Sequence, residues 1–184
     1  MYYMEACSMD LQDIRQQINI IDEDMESLFI RRMECSSRVA GIKLECNEDI
    51  YKQDREMEIC KKYEDNPTYV TFIKKIMEIS RNYQYSIFAS SDCFKEKYLN
   101  RVTEENMKIF SEGGILELFL EAASDGEKGL KTEDIISIIS GSGLKIKNLV
   151  CEENRVHAKL YVENSTKTKF AALVLSYMLY METV

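Results

Sequence analysis

The stretch DLQDIRQQINIIDEDMESLFIRRMECSSRVAGIKLEC, residues 10–46, decides the fold. Apart from Gly41, nothing in it breaks a helix. Apolar residues fall at Leu11, Ile14, Ile18, Ile21, Met25 and Leu28, then at Val39 and Ile42. The steps alternate three and four, which is a heptad seam. Carried through the gap, the count lands on 32 and 35, so Arg32 is expected on the buried stripe. A guanidinium there must meet a carboxylate, a carbonyl or a ligand. A helix of about 35 residues is about 50 Å long. The helices expected next are too short to cover it, so a second copy of the chain is expected on the seam, making a homodimer through this helix.

Two shorter helices are expected, over 51–64 and 68–89, separated by the turn YEDNPT with the chain's one proline, Pro67. The seam of the later helix reads Val70, Ile73, Met77, Ser80, Gln84, Ile87. Polar residues at seam positions can simply fix register. Two interruptions on neighbouring helices point instead to a shared buried polar site.

From Ser90 to Val102 the chain is charged and reads as a short helix plus linker. Beyond it the period changes. MKIFSE and ILELFLEAA alternate as strands do, joined by Gly113-Gly114, a hairpin signal. LKTEDIISIISGSG reads as a helix with Thr132 as N-cap and Gly141 or Gly143 as terminator. LKIKNLVC and RVHAKLYVE read as strands around the turn EEN, and 167–181 closes as a helix. The expected class is α+β. A helical domain over 1–90 and a linker over 91–105 precede a β-β-α-β-β-α domain with a four-stranded antiparallel sheet over 106–184.

The net charge of −8 argues against nucleic acid or an anionic membrane as the main partner. No apolar run approaches a membrane span, and the N-terminus shows no basic segment followed by an apolar one, so a cytoplasmic location is expected. The six cysteines, Cys7, Cys35, Cys46, Cys60, Cys93 and Cys151, are scattered without a CxxC pair. Reduced thiols are expected, and neither a metal nor another cofactor is.

Within this acidic chain, FIRRMECSSRVAGIK at 29–43 gathers Arg31, Arg32, Arg38 and Lys43. Arg32 and Lys43 lie three turns apart on one helix face, about 16 Å along the axis. Their side chains can bracket a small dicarboxylate. Arg15 lies about 100° round the helix from Arg32 and would serve a second copy's pocket more easily than its own. Arg31 and Arg38 read as solvated surface charges. Arg55 and Glu56 add a further cation and an acceptor. The single histidine, His157, sits in an expected strand, and no Ser/His/Asp arrangement or Gly-rich phosphate loop is visible. A pocket of cations, amide and hydroxyl donors and one carboxylate suits binding, or a reaction driven by orientation and electrostatics.

At residues 10–85 the chain resembles the all-helical (type II) chorismate mutases. The parts that match, in order, are LQDIRQQINIIDEDMESLFIRRM, VAGIK, YKQDRE and MEISRNYQ. The resemblance implies an intertwined helical dimer that rearranges chorismate to prephenate, a pericyclic step without acid, base or nucleophile. It implies that Arg15 of a second copy and Arg32 bind carboxylates, and that Lys43 and Gln84 donate to the ether oxygen and its neighbouring carboxylate. Glu56 would accept from the ring hydroxyl, and Arg55 and Ser80 would complete the carboxylate contacts. Where the family often has an acid three residues before the arginine of YKQDRE, this chain has Lys52, a positive charge at the pocket mouth. The stretch between Glu56 and Ser80 is also short for the family, by about two helical turns.

The C-terminal half loosely resembles amino-acid-binding ACT domains through GLKTEDIISIISGSGLKIKNL, which implies a Phe or Tyr effector site. A partner-docking appendage is the plainer reading. Three rivals stand beside the mutase: a catalytically weak mutase-like regulator docking on another shikimate-pathway enzyme, an isochorismate-pyruvate lyase, and a plain coiled-coil scaffold.

Overall fold

A computed structural model describes residues 10–91, 98–124 and 127–183. Cys7, Cys93 and residues 92–97 of the charged bridge lie outside the described residues. Helix α1 spans Leu11–Glu45, α2 Gln53–Lys62 and α3 Pro67–Ala89. A 3₁₀ turn at Leu99–Arg101 precedes α4 (Glu104–Glu112), β1 (Gly114–Glu121), α5 (Thr132–Gly141), β2 (Lys145–Glu152), β3 (Arg155–Val162) and α6 (Thr166–Thr183).

Local chemistry sets the helix ends. Asp13 accepts from the Asp10 N–H at 3.2 Å in the first turn of α1. The helix runs through Gly41 and ends where Asn47 turns left-handed, with φ of 56°. Asn66 caps α3 by accepting from the Tyr69 N–H at 3.0 Å, and Pro67 takes the first helical position, where its missing N–H costs nothing.

Helix α1 divides in two. Every residue from Leu11 to Arg31 is exposed, with Leu11, Ile18 and Leu28 at 59%, 51% and 59%. From Arg32 onward the helix packs on α3 and buries Ser36 and Ala40. The packed stripe follows Arg32, Ser36, Ala40 and Lys43, while Cys35, Val39 and Ile42 stay exposed. The heptad count therefore fails at position 35. A straight helix drifts about 20° per heptad from a strict seven-residue repeat, enough over three heptads to turn the next residue inward.

The second half departs from the expected order at its first element. MKIFSE is the end of α4, and the sheet has three strands. Six alternating residues fit either period. Thr103, accepting from the Asn106 N–H at 3.3 Å, and Glu104-Glu105 in the first turn favour the helix. Gly113 ends it at φ 83°, and a Cβ there would meet the Val162 carbonyl at 2.7 Å. The glycine pair is thus a helix terminator and not a hairpin turn. On α5 the N-cap is Lys131, whose N–H donates to Asp134 at 3.1 Å, and Thr132 takes the first helical position.

The strand order is β1-β3-β2, antiparallel throughout, with Leu116 opposite Leu160 and Leu118 opposite Ala158. β3 lies between the two strands that α5 connects, a split β-α-β arrangement. A fourth strand would have to flank β1, and none of the described residues provides one. Leu116, Leu118, Val156, Ala158, Leu160 and Val162 are buried on the sheet face that carries the helices. Helix α6 is buried almost all round, from Val174 to Leu179, because it lies between this sheet and α3. Tyr85 of α3 meets Tyr177 of α6 edge to face at 5.1 Å. One core therefore runs from the C-terminal ends of α1 and α3 into the sheet.

Candidate functional site

The polar positions of α1 and α3 face each other. Arg32 is half-buried, and its Nη1 donates to Ser80 Oγ and, at 3.3 Å, to the Ile76 carbonyl. Ser80 Oγ in turn donates to the Ile76 carbonyl at 2.9 Å. One turn on, Gln84 Nε2 donates to Ser36 Oγ at 3.0 Å, and Ser36 Oγ donates to the Ser80 carbonyl at 3.3 Å. Gln84 Oε1 is buried and has no hydrogen-bond partner. A carboxamide turned end for end would accept from Ser36 and place its NH₂, free to donate, at that buried position instead.

Lys43 lies on the same side of α1. Its ammonium donates to the Ile50 carbonyl at 2.6 Å, which leaves capacity for two more acceptors. Burial lowers its pKa, and the neighbouring charge of Lys52 lowers it further, against Glu48, Glu56 and Asp49. Burial also lowers that of Arg32, with Glu56 opposing. Both cations thus sit where an added anion would relieve them.

Of the residues singled out in the sequence, Arg32, Lys43, Glu56, Ser80 and Gln84 fall in one region. Lys52 stands at its edge, exposed and paired with Glu48 at 3.2 Å. Arg55 does not join them, since it points to solvent and pairs with Glu58 at 3.1 Å. Arg15 lies on the bare half of α1, far along the helix from its own chain's cluster. Arg31 and Arg38 are exposed. His157 stacks on Phe119 at 4.2 Å on the uncovered face of the sheet, remote from these residues.

Sequence reasoning missed Arg81. It is 7% exposed and stands next to Ser80, directed to the other side of α3. Its Nη1 donates to both carboxylate oxygens of Glu56, and its Nε donates to Glu182 of α6 at 2.9 Å. Tyr51 lies under the guanidinium at 4.9 Å. Burial opposes the charge on Arg81, but Glu182 and Glu56 outweigh it and hold its pKa above the usual range. The readable signal was the spacing. Met77, Arg81, Gln84 and Phe88 repeat at four, three and four, so an arginine stands on a buried stripe.

A cleft of about 720 Å³ opens beyond Glu56 and Arg81 between α2, α3 and α5. None of Arg32, Lys43, Ser80 or Gln84 lines it. Ser36, Ser80 and Gln84 are buried where α1 meets α3, while Arg32 and Lys43 are only half-buried and give the cluster its open face, next to the bare part of α1.

The family model for type II chorismate mutase matches residues 14–85, the segment that holds this cluster. No curated protein and no solved structure matches the chain. No helix among the described residues is long and apolar enough to cross a membrane.

Proposed function

We propose that the segment matching the chorismate mutase family model converts chorismate to prephenate, and that two copies of the chain build each site. The carrying observation is the convergence of Arg32, Lys43, Ser80, Gln84 and Glu56 within the matched segment. Two half-buried cations suit a dicarboxylate. Lys43 and the Gln84 amide suit the negative charge that grows on the breaking ether oxygen. Glu56 suits the ring hydroxyl. A pericyclic rearrangement needs what this set supplies, a fixed substrate geometry and oriented donors.

The bare seam of α1 supports the dimer. Leu11, Ile14, Ile18, Ile21, Met25 and Leu28 are all exposed along about 25 Å of helix. A second copy covering this seam would bring its own Arg15 against the open face. Substrate then binds among Arg32, Lys43 and that Arg15. Arg55 reaches a carboxylate only by leaving Glu58, a cheap exchange at an exposed pair. The C-terminal half serves as a regulatory or docking part.

A regulator of weak activity is the second reading. Lys52 adds a cation beside Lys43, and Glu56 is already engaged by Arg81. Prephenate formation by the purified chain separates the two readings. Robust turnover removes the regulator. Turnover only in the presence of another shikimate-pathway enzyme removes the free-standing mutase. Sedimentation tests the dimer, and a monomer at micromolar concentration would sink it.

A further inference from the structure

The Arg81 guanidinium divides its fork between two carboxylates from opposite ends of the chain. Glu56 comes from α2, in the matched segment, and Glu182 from the last turn of α6. The three groups form a chain from the open face into the core of the C-terminal half. Glu182 is 4% exposed, and its Oε2 has no hydrogen-bond partner. One cation therefore serves two carboxylates, and a buried arrangement of this kind is strained when both are ionised.

We propose that Arg81 is a positioning residue for Glu56, and that Glu182 sets how firmly Arg81 holds it, so that the C-terminal half acts on the substrate site through one guanidinium. This rests on the mutase reading for the role of Glu56. The bidentate hold fixes the direction of the Glu56 lone pairs left for the substrate hydroxyl. A lysine at 81 would keep the charge but could not bridge both carboxylates.

Burial lifts the pKa of Glu182 to about 7. The Glu56 charge also raises it, while Arg81 and the nearby Tyr85 hydroxyl hold it down. Among the described residues, other charged groups share two clefts with Glu182. Glu121, Glu127 and Lys128 stand on the β1 side, and Lys52 and Asp54 on the α2 side. Tyr51, packed on Arg81, stays neutral across this range, its pKa raised to about 12 by burial. Near neutrality, then, Glu182 changes charge while Arg81 and Tyr51 do not. Protonated, it leaves the guanidinium undivided and Glu56 held hardest. Ionised, it draws Arg81 towards α6.

Kinetics and carboxyl-carbon NMR on the full chain test this. KM for chorismate is expected to be lower below pH 7 than above it, and to lose that step in Glu182→Gln. Arg81→Lys is expected to raise KM about tenfold with a smaller change in kcat. In a Glu56→Gln background the same change is expected to add less than about twofold. Equal effects in both backgrounds overturn the proposal, since Arg81 would then act without Glu56.

The NMR arm needs no turnover. The Glu56 carboxyl signal is expected to step at the Glu182 midpoint, and the step to vanish in Glu182→Gln. A Glu56 signal that stays flat through the Glu182 titration overturns the link. Wild-type protein that shows the step but forms no prephenate sinks the mutase reading and leaves the link standing.

Discussion

Ser80 and Arg81 are neighbours on α3, yet their surroundings are opposites. On the Ser80 side, Arg32 and Lys43 donate to a hydroxyl and to backbone carbonyls, and the Lys43 ammonium keeps donor capacity unused. On the Arg81 side, the cation is buried between two carboxylates and an aromatic ring. The first set has positive charge to spare, and the second is more than compensated. A buried polar cluster completed by its own chain holds elements together. One left short of acceptors fits a ligand that supplies them. Adjacent residues can thus serve stability and binding separately, because successive residues on a helix point about 100° apart.

The largest expected effect tests the closed side. Arg81→Met leaves Glu56 and Glu182 without their cation in a buried setting. A loss of about 3–5 kcal/mol in unfolding free energy is expected by urea denaturation. A loss below about 1 kcal/mol would place the cluster among ordinary surface pairs.

The open side should answer in the other currency. Arg32→Ala or Lys43→Ala is expected to remove about 3–4 kcal/mol of transition-state stabilisation, a fall of several hundredfold or more in turnover. Far-ultraviolet circular dichroism and dimer mass should hardly change, since neither residue is a core group. Near-wild-type turnover in either variant would sink the assignment of this face.

Protons act on the closed side next. Glu182 keeps its proton in the folded chain up to about pH 7, while an ordinary glutamate, at 4.5, has lost it. The folded state therefore binds more protons between these values, and stability falls as pH rises through that window. The expected fall is at most about 3 kcal/mol. Glu182→Gln should flatten it. A stability that rises from pH 5 to pH 7 in wild type and variant alike would show that other carboxylates dominate.

Much of this contrast was legible in the sequence, and the rest was not, for physical reasons. Arg32, Ser80 and Gln84 were readable because each interrupts an apolar repeat. The long α1 was readable because nothing but Gly41 interrupts a helix-forming run of 35 residues. Arg81 was hidden by the width of the buried stripe. Helix α3 is covered by α1, α2 and α6 together, so positions 80 and 81 are both inside, and a single seam cannot show that. Glu182 was hidden because its partner lies 101 positions away. MKIFSE misled because a six-residue alternation carries too little period to outvote a Thr cap and two glutamates upstream. That the described residues form three strands and not four follows from the same error.

The smallest expected effect lies at the edge of the open side. Lys52 is about half-exposed and tied to Glu48, yet it still lowers the pKa of Lys43. Lys52→Asp removes that repulsion and should raise the Lys43 pKa. If Lys43 acts as a charged donor, the alkaline limb of the rate profile moves to higher pH with it. Solvent screening keeps the shift small, and 0.5 M salt should shrink it further. The acid also stands near the expected hydroxyl of the substrate, so KM should fall by no more than about threefold. A shift to lower pH, or a shift untouched by salt, would mean that Lys52 acts on Lys43 through the fold of the 46–52 loop rather than through its charge. The open face would then be shaped by backbone geometry, as the closed one is by its buried ion pairs.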